Sequence, residues 1–251
     1  MGSKDKQETL QAETLDQQTN IDKWCFSYYA GSENANAVEK AALLIGAKWQ
    51  PGDTISISFL DGDPALQQKV IKAARKWIQP GMANLEFSFR TDTNDTDIRI
   101  SFKFKGSWSV LGTTCKKVTD KKSPTMNFGW LDENSTEEDI NRVVFHEFGH
   151  AIGLIHEHMS PEGGIKWNRD AVISDLSGPP NNWDAATIEN NMFRTFSKEE
   201  LEVTKLDGKS IMMYPIPSKW TTDGFSCGLN TELSPVDIKF IRLAYPGNDS
   251  I

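Results

Sequence analysis

This 251-residue chain is short of everything that would staple, repeat or anchor it. It has three cysteines, Cys25, Cys115 and Cys227, and an odd count leaves at least one unpaired within a chain. No run of about 18 apolar residues occurs, which excludes a helical membrane span. There is no internal repeat and no long low-complexity tract. Basic residues are outnumbered, with 27 Lys and Arg against 35 Asp and Glu, and the net charge of −8 argues against a nucleic-acid partner. The first 20 residues are polar and rich in Gln and Glu, without the apolar core of a signal peptide. Either the protein stays inside the cell or a signal has been removed. The Met-Gly-Ser start resembles an expression scar, and residues 1–20 are read as flexible. The remainder is that of a globular chain, 38% hydrophobic and 25% charged. At this length a single domain can bury about 70–75% of its unfolded surface without an external staple.

Histidine is scarce as well, and the scarcity is informative. The four histidines, His146, His150, His156 and His158, all lie in the stretch His146-Glu147-Phe148-Gly149-His150-Ala151-Ile152-Gly153-Leu154-Ile155-His156-Glu157-His158. Imidazole is the commonest side-chain metal ligand, so this concentration predicts a metal site. Residues four apart stack on one helix face, so His146 and His150 can grip one ion from adjacent turns. Ser135 and Glu138 predict a capping box, and Glu137 and Asp139 suit the positive end of the helix dipole. Ile140, Val144, Phe148, Ala151 and Ile155 form a core stripe at about 100° per residue, pointing away from the two histidines. Gly153 allows the positive φ that ends the helix and lets His156 swing back as third ligand. Three protein ligands leave one position for water, the mark of a catalytic zinc site. Glu147, beside a ligand, has the placement of a general base. His158 needs no role here and is expected to be exposed.

The first three histidines with Glu147 and Gly153 match H-E-x-x-H-x-x-G-x-x-H, the zinc-binding pattern of the metzincin peptidases. Downstream, Ser210, Met212 and Tyr214 in Ser210-Ile211-Met212-Met213-Tyr214-Pro215 resemble the S-x-M-x-Y turn of the astacin-like and serralysin-like branches. The resemblance implies one catalytic Zn2+ held by His146, His150 and His156, Met212 as the hydrophobic floor of the site, and Tyr214 as a catalytic phenol. That phenol can ligate zinc at rest and swing out to hydrogen-bond the reaction oxyanion. Met213 reads as core. Lys48-Trp49-Gln50-Pro51-Gly52 followed by Thr54 to Phe59 looks like the first strand of an astacin-like catalytic domain. Ser107, Trp108, Ser109, Val110 and Leu111 resemble that family's cleft-edge strand, along which an extended peptide adds by main-chain hydrogen bonds. Glu157 matches the glutamate that astacins place after the third histidine, where it meets the buried N-terminus of the mature enzyme. His158-Met159-Ser160-Pro161 replaces the usual arginine- and aspartate-containing run, which points to a divergent microbial branch. The resemblance covers residues 46–247.

The implied fold is α+β and metzincin (zincin-like). It has a five-stranded mixed sheet, an active-site helix above a cleft, and a mostly irregular or helical lower subdomain. Strands are expected over Thr54–Leu60, Leu85–Arg90, Asp97–Lys103, Ser107–Leu111 and Thr125–Trp130. Helices are expected over Pro64–Ile78, Thr136–Gly153, Arg169–Asp175, Ala185–Arg194 and from Ser234 onward. The catalytic domain would run over 47–251, its upper half over 47–153 and its lower half over 154–251. Residues 21–46 read as a pro-segment or N-terminal extension, with a helix over Ala35–Ala47. Cys25 could then supply a thiolate to the open zinc position, or be a packed or free cysteine. Cys115 and Cys227 could pair as a disulfide if the protein is secreted. Trp108, Trp130, Trp183 and Trp220 are read as subsite walls or as core. The function implied is a secreted, monomeric zinc metalloendopeptidase acting on protein or peptide substrates, made as a zymogen. Two alternatives remain: a zinc-bearing peptide-binding module without turnover, and a thermolysin-type peptidase with a distant glutamate as third ligand.

Overall fold

A computed structural model describes residues 26–28, 46–92, 95–160, 164–179, 181–195 and 206–248. The helix expected over Ala35–Ala47 lies, but for its last two residues, outside the described residues, and Cys25 lies outside them too.

All five expected strands are present: β2 (Thr54–Phe59), β3 (Glu86–Arg90), β4 (Ile98–Ser101), β5 (Ser107–Val110) and β6 (Met126–Phe128). A short strand from the N-terminal segment, β1 (Phe26–Tyr28), makes a sixth, and the order is β1-β5-β6-β4-β2-β3. The β5–β6 pair is antiparallel and the others are parallel, so the sheet is mixed. In β2 the alternation of Ile55 and Ile57 with Ser56 and Ser58 sends the isoleucines into the core, while the serines find Asp97 and Thr96 on the opposite face.

Two helices pack together, and the second of them packs against β5 and β6. The first, α1 (Pro64–Ala74), starts at Asp63, whose carboxylate accepts the amides of Ala65 and Leu66, with Pro64 in the first turn. It tightens to a 3₁₀ turn over Arg75–Ile78 rather than staying α-helical to Ile78. The second, α2 (Glu137–Ala151), is capped one residue later than expected. Thr136 accepts the Asp139 amide, while Ser135 is occupied by the preceding turn, where it bonds Asp132. Four of the five expected stripe residues, Ile140, Val144, Phe148 and Ala151, are buried, while Ile155 lies past the helix end and is half-buried. Three aromatic side chains then pin α2. Trp77 Nε1 donates to Phe145 O at 3.1 Å, Trp49 Nε1 to Ala151 O at 2.9 Å, and Tyr245 Oη to Ile152 O at 2.5 Å.

Beyond α2 the chain is less regular. It contains α3 (Arg169–Ser177), α4 (Ala185–Ile188) running into a π-helical turn (Glu189–Phe193), and α5 (Pro235–Ala244). The capping box at Ser234 and Asp237 forms as expected. The inner face of α5 is narrower than its apolar positions suggest, because Val236 and Ile238 face outward. Apolar residues gather in two main clusters, one around the sheet, α1 and α2, the other around Val172, Ile188, Met213, Tyr214 and Trp220. Trp183 and Trp220 belong to the second cluster and are core, not subsite walls.

The Cys115–Cys227 disulfide is not formed, and both are free thiols. They belong to different clusters: Cys115 is buried in the first, where burial pushes its thiol up to about 12. Cys227 packs against the second and donates its Sγ hydrogen to Tyr214 O at 3.1 Å.

Candidate metal centre and cleft

The ligand geometry begins at the end of α2. The Gly153 amide donates to His150 O and the Leu154 amide to Gly149 O, the paired bonds of a Schellman cap, with Gly153 at φ +97°. That reversal sends Leu154 back over the helix, where its carbonyl accepts His150 Nδ1–H at 2.8 Å. His146 Nδ1–H donates to Ile211 O at 2.7 Å. Carbonyls only accept, so each bond fixes the tautomer and leaves Nε2 with its lone pair bare. His150 Nε2 lies 3.1 Å from His156 Nε2, and donor atoms of His146, His150 and His156 all lie within 4.8 Å of one another. Three nitrogens bonded to one zinc at about 2.0–2.1 Å need that kind of spacing. Burial lowers the pKa of His146 to about 4 and those of His150 and His156 well below the usual value. The rings are therefore neutral at pH 7, as ligands must be. His146 Nε2 is buried and has no hydrogen-bond partner among the described residues, as expected of an atom kept for an ion. The residues fit zinc.

Glu147 is fully buried beside this cluster and lines a cleft with His146, Trp130, Arg142, Met213 and Tyr214. The Tyr214 ring lies 4.2 Å from that of His156 and 6.4 Å from that of His146. Trp130 is at the cleft, as one reading of it required.

The chain is similar to known proteins over most of this structure. The model of the family described as Astacin (Peptidase family M12A) matches residues 44–246. This chain belongs to the astacin family. Its solved relatives include a structure of myroilysin, 38% identical, covering 81% of this chain and 98% of that one with a TM-score of 0.78. A second myroilysin crystal structure is 35% identical, covering 86% and 100%, with a TM-score of 0.61. High choriolytic enzyme 1, a hatching enzyme zinc-protease from Oryzias latipes (medaka fish), is 18% identical and shares the fold, covering 84% and 98% with a TM-score of 0.51. No curated protein matches. The astacin assignment makes the protein a zinc metalloendopeptidase with one zinc, and a peptidase acts on protein or peptide substrates.

Three features of this astacin site escaped the motifs. The first is Gly149, within the histidine motif. A Cβ there would lie 2.4 Å from Met212 Sδ, so any larger residue would displace the turn methionine from the underside of α2. Its signal was the glycine itself, in a helix interior where it costs about 1 kcal/mol against alanine. The second is Asp237, on the first turn of α5. Its carboxylate accepts Ser210 Oγ–H at 2.7 Å, the Ile211 amide at 2.8 Å and the Ser234 amide at 2.9 Å. Asp237 thereby holds the methionine turn whose Ile211 carbonyl orients His146. We expect Asp237→Ala to lower stability by about 3 kcal/mol, because buried donors lose their acceptor. Zinc affinity should fall about tenfold through the misplaced Ile211 carbonyl. Chemical denaturation and zinc competition measure the two effects.

The third is His158, which is buried at 2% exposure rather than exposed as expected. Its Nε2–H donates to Asn191 O at 2.7 Å, and its ring lies against Tyr214. Neighbouring Glu157 accepts the Asp207 amide at 2.9 Å. Burial, with Asp237 and Asp207 adding, pushes its carboxyl up to about 7 against the pull of that hydrogen bond.

Proposed function

We propose that this enzyme cleaves internal peptide bonds, with His146, His150 and His156 as metal ligands and Glu147 as general base. The convergence of three neutral imidazoles within 4.8 Å, beside a buried carboxylate, carries the reading. Zinc held there supplies a Lewis acid that acidifies water and polarises a carbonyl. Glu147 accepts a proton from the attacking water and returns it to the leaving amine as the C–N bond breaks. The Tyr214 hydroxyl donates to the carbonyl oxygen as negative charge develops on it. Met212 floors the site, a role supported by its approach to Gly149. Residues Ser107–Leu111 hold the substrate main chain. The test is casein turnover by the zinc-loaded enzyme, which chelation should abolish and added zinc restore. Turnover that survives full metal removal would refute the reading.

The same reading takes 47–251 as the catalytic domain and 21–46 as a pro-segment, preceded by residues 1–20 as an N-terminal segment. The parallel pairing of β1 on β5, with Phe26 opposite Trp108 and Tyr28 opposite Val110, supports it, because β1 lies along the strand read as the substrate edge. Cys25 immediately precedes β1 and is the thiolate we assign to the fourth zinc position. Cys25→Ala should therefore raise the casein turnover of the unprocessed chain several-fold. Turnover equal to that of the parent chain would remove the switch. We take the processed enzyme to be a secreted monomer, in keeping with the acidic balance of the full chain, 27 Lys and Arg against 35 Asp and Glu.

A further inference from the structure

One buried imidazole has no part in the chemistry above. His158 contacts Tyr214 ring to ring, with centroids 4.7 Å apart and planes 28° from parallel. The ligand His156 also lies against Tyr214, at 4.2 Å, and its ring is 5.6 Å from that of His158, so the three rings form a triangle. The phenol ring therefore has a metal ligand against it and His158 as a second wall. What fixes that wall is visible. Asn191 O can only accept, so the 2.7 Å bond makes His158 the Nε2–H tautomer and sets its ring plane. The acceptor comes from the π-helical turn Glu189–Phe193, a geometry that recurs at functional sites. Trp167 meets the His158 ring edge-on, at 6.2 Å and 90°, and is backed by Phe193 at 5.9 Å. His158 Nδ1 is buried with no partner among the described residues.

We propose that His158 is a positioning residue for Tyr214: its anchored ring is the fixed wall against which the phenol ring rests beside the ligand cluster. The inference rests on the reading of Tyr214 as donor to the reaction oxyanion. It is a claim about orientation, so it predicts an effect on turnover transmitted only through Tyr214.

The test compares His158→Ala, His158→Phe, Tyr214→Phe and the double variant His158→Ala/Tyr214→Phe, all zinc-loaded, on a fluorogenic peptide. Tyr214→Phe should cost about 10²-fold in kcat, the usual loss for one oxyanion donor. His158→Ala should cost about tenfold in kcat with KM changed less than about twofold, since the interaction is made in the transition state. Zinc content should stay at one per chain. His158→Phe keeps a flat wall and should recover to within about threefold of the parent. In the double variant the His158 change should add nothing to the loss from Tyr214→Phe. Tyrosine-ring NMR on the full zinc-loaded chain gives a readout independent of activity. Tyr214 signals should move in His158→Ala but hold in His158→Phe, with Tyr245 in the first core as a folding control. Losses that multiply in the double variant, or Tyr214 signals unmoved in His158→Ala, overturn the proposal and leave the reading of Tyr214 intact. A Tyr214→Phe enzyme with full turnover overturns both.

Discussion

Glu147→Gln should lower casein turnover by about 10³-fold while the protein still binds one zinc, since a positioned general base contributes about 10²- to 10⁴-fold. The residue sits beside two ligands on α2 but is not one of them, so metal content and activity should separate. Glutamine preserves the volume of a side chain with no solvent exposure, which keeps packing out of the comparison. The amide can accept a hydrogen bond from water but cannot take its proton. Elemental analysis alongside initial rates gives the answer. A fully active, zinc-loaded variant would remove Glu147 from the chemistry. Absence of turnover in both variant and parent, after removal of the N-terminal segment, would favour a binding module over an enzyme.

His156→Ala should have the opposite signature, losing metal first and activity as a consequence. Groups that merely orient a ligand are worth about 10- to 100-fold in metal affinity, so deletion of a ligand should cost at least about 100-fold. His156 Nε2 lies 3.1 Å from His150 Nε2, and its removal leaves two imidazoles on adjacent turns of one helix. Dialysis against a weak chelator followed by elemental analysis should find the variant nearly empty and the parent full. Unchanged zinc content would mean that a distant residue completes the site, as in the thermolysin arrangement.

The contrast between these two substitutions reflects how the site is written into the chain. The ligands were legible because helix geometry turns a spacing of four residues into one face, and because Gly153 makes the reversal that brings His156 back. The strands and α2 were legible from their periods. Errors arose where two local solutions use the same chemistry. Ser135 and Thr136 are both good caps, and only the turn at Asp132 decides that serine is already engaged. They also arose where the answer is long-range. Nothing near Cys115 or Cys227 in sequence says that they belong to different cores. His158 reads as a polar surface residue until the π-helical turn supplies Asn191 O from 33 positions away. The lower half was least legible because its order comes from such side-chain contacts rather than from long periodic elements. Asp237 shows both sides, since its capping box was plain in Ser234-Pro235-Val236-Asp237. Its hold on the methionine turn depends on a contact spanning 26 residues.

The central claim is a single zinc among three imidazoles, and anomalous diffraction at the zinc absorption edge tests it most directly. The account predicts one peak within about 2.0–2.1 Å of a ring nitrogen from each of His146, His150 and His156. A zinc-soaked crystal with no peak between those rings, or with the ion held elsewhere on the chain, would contradict it.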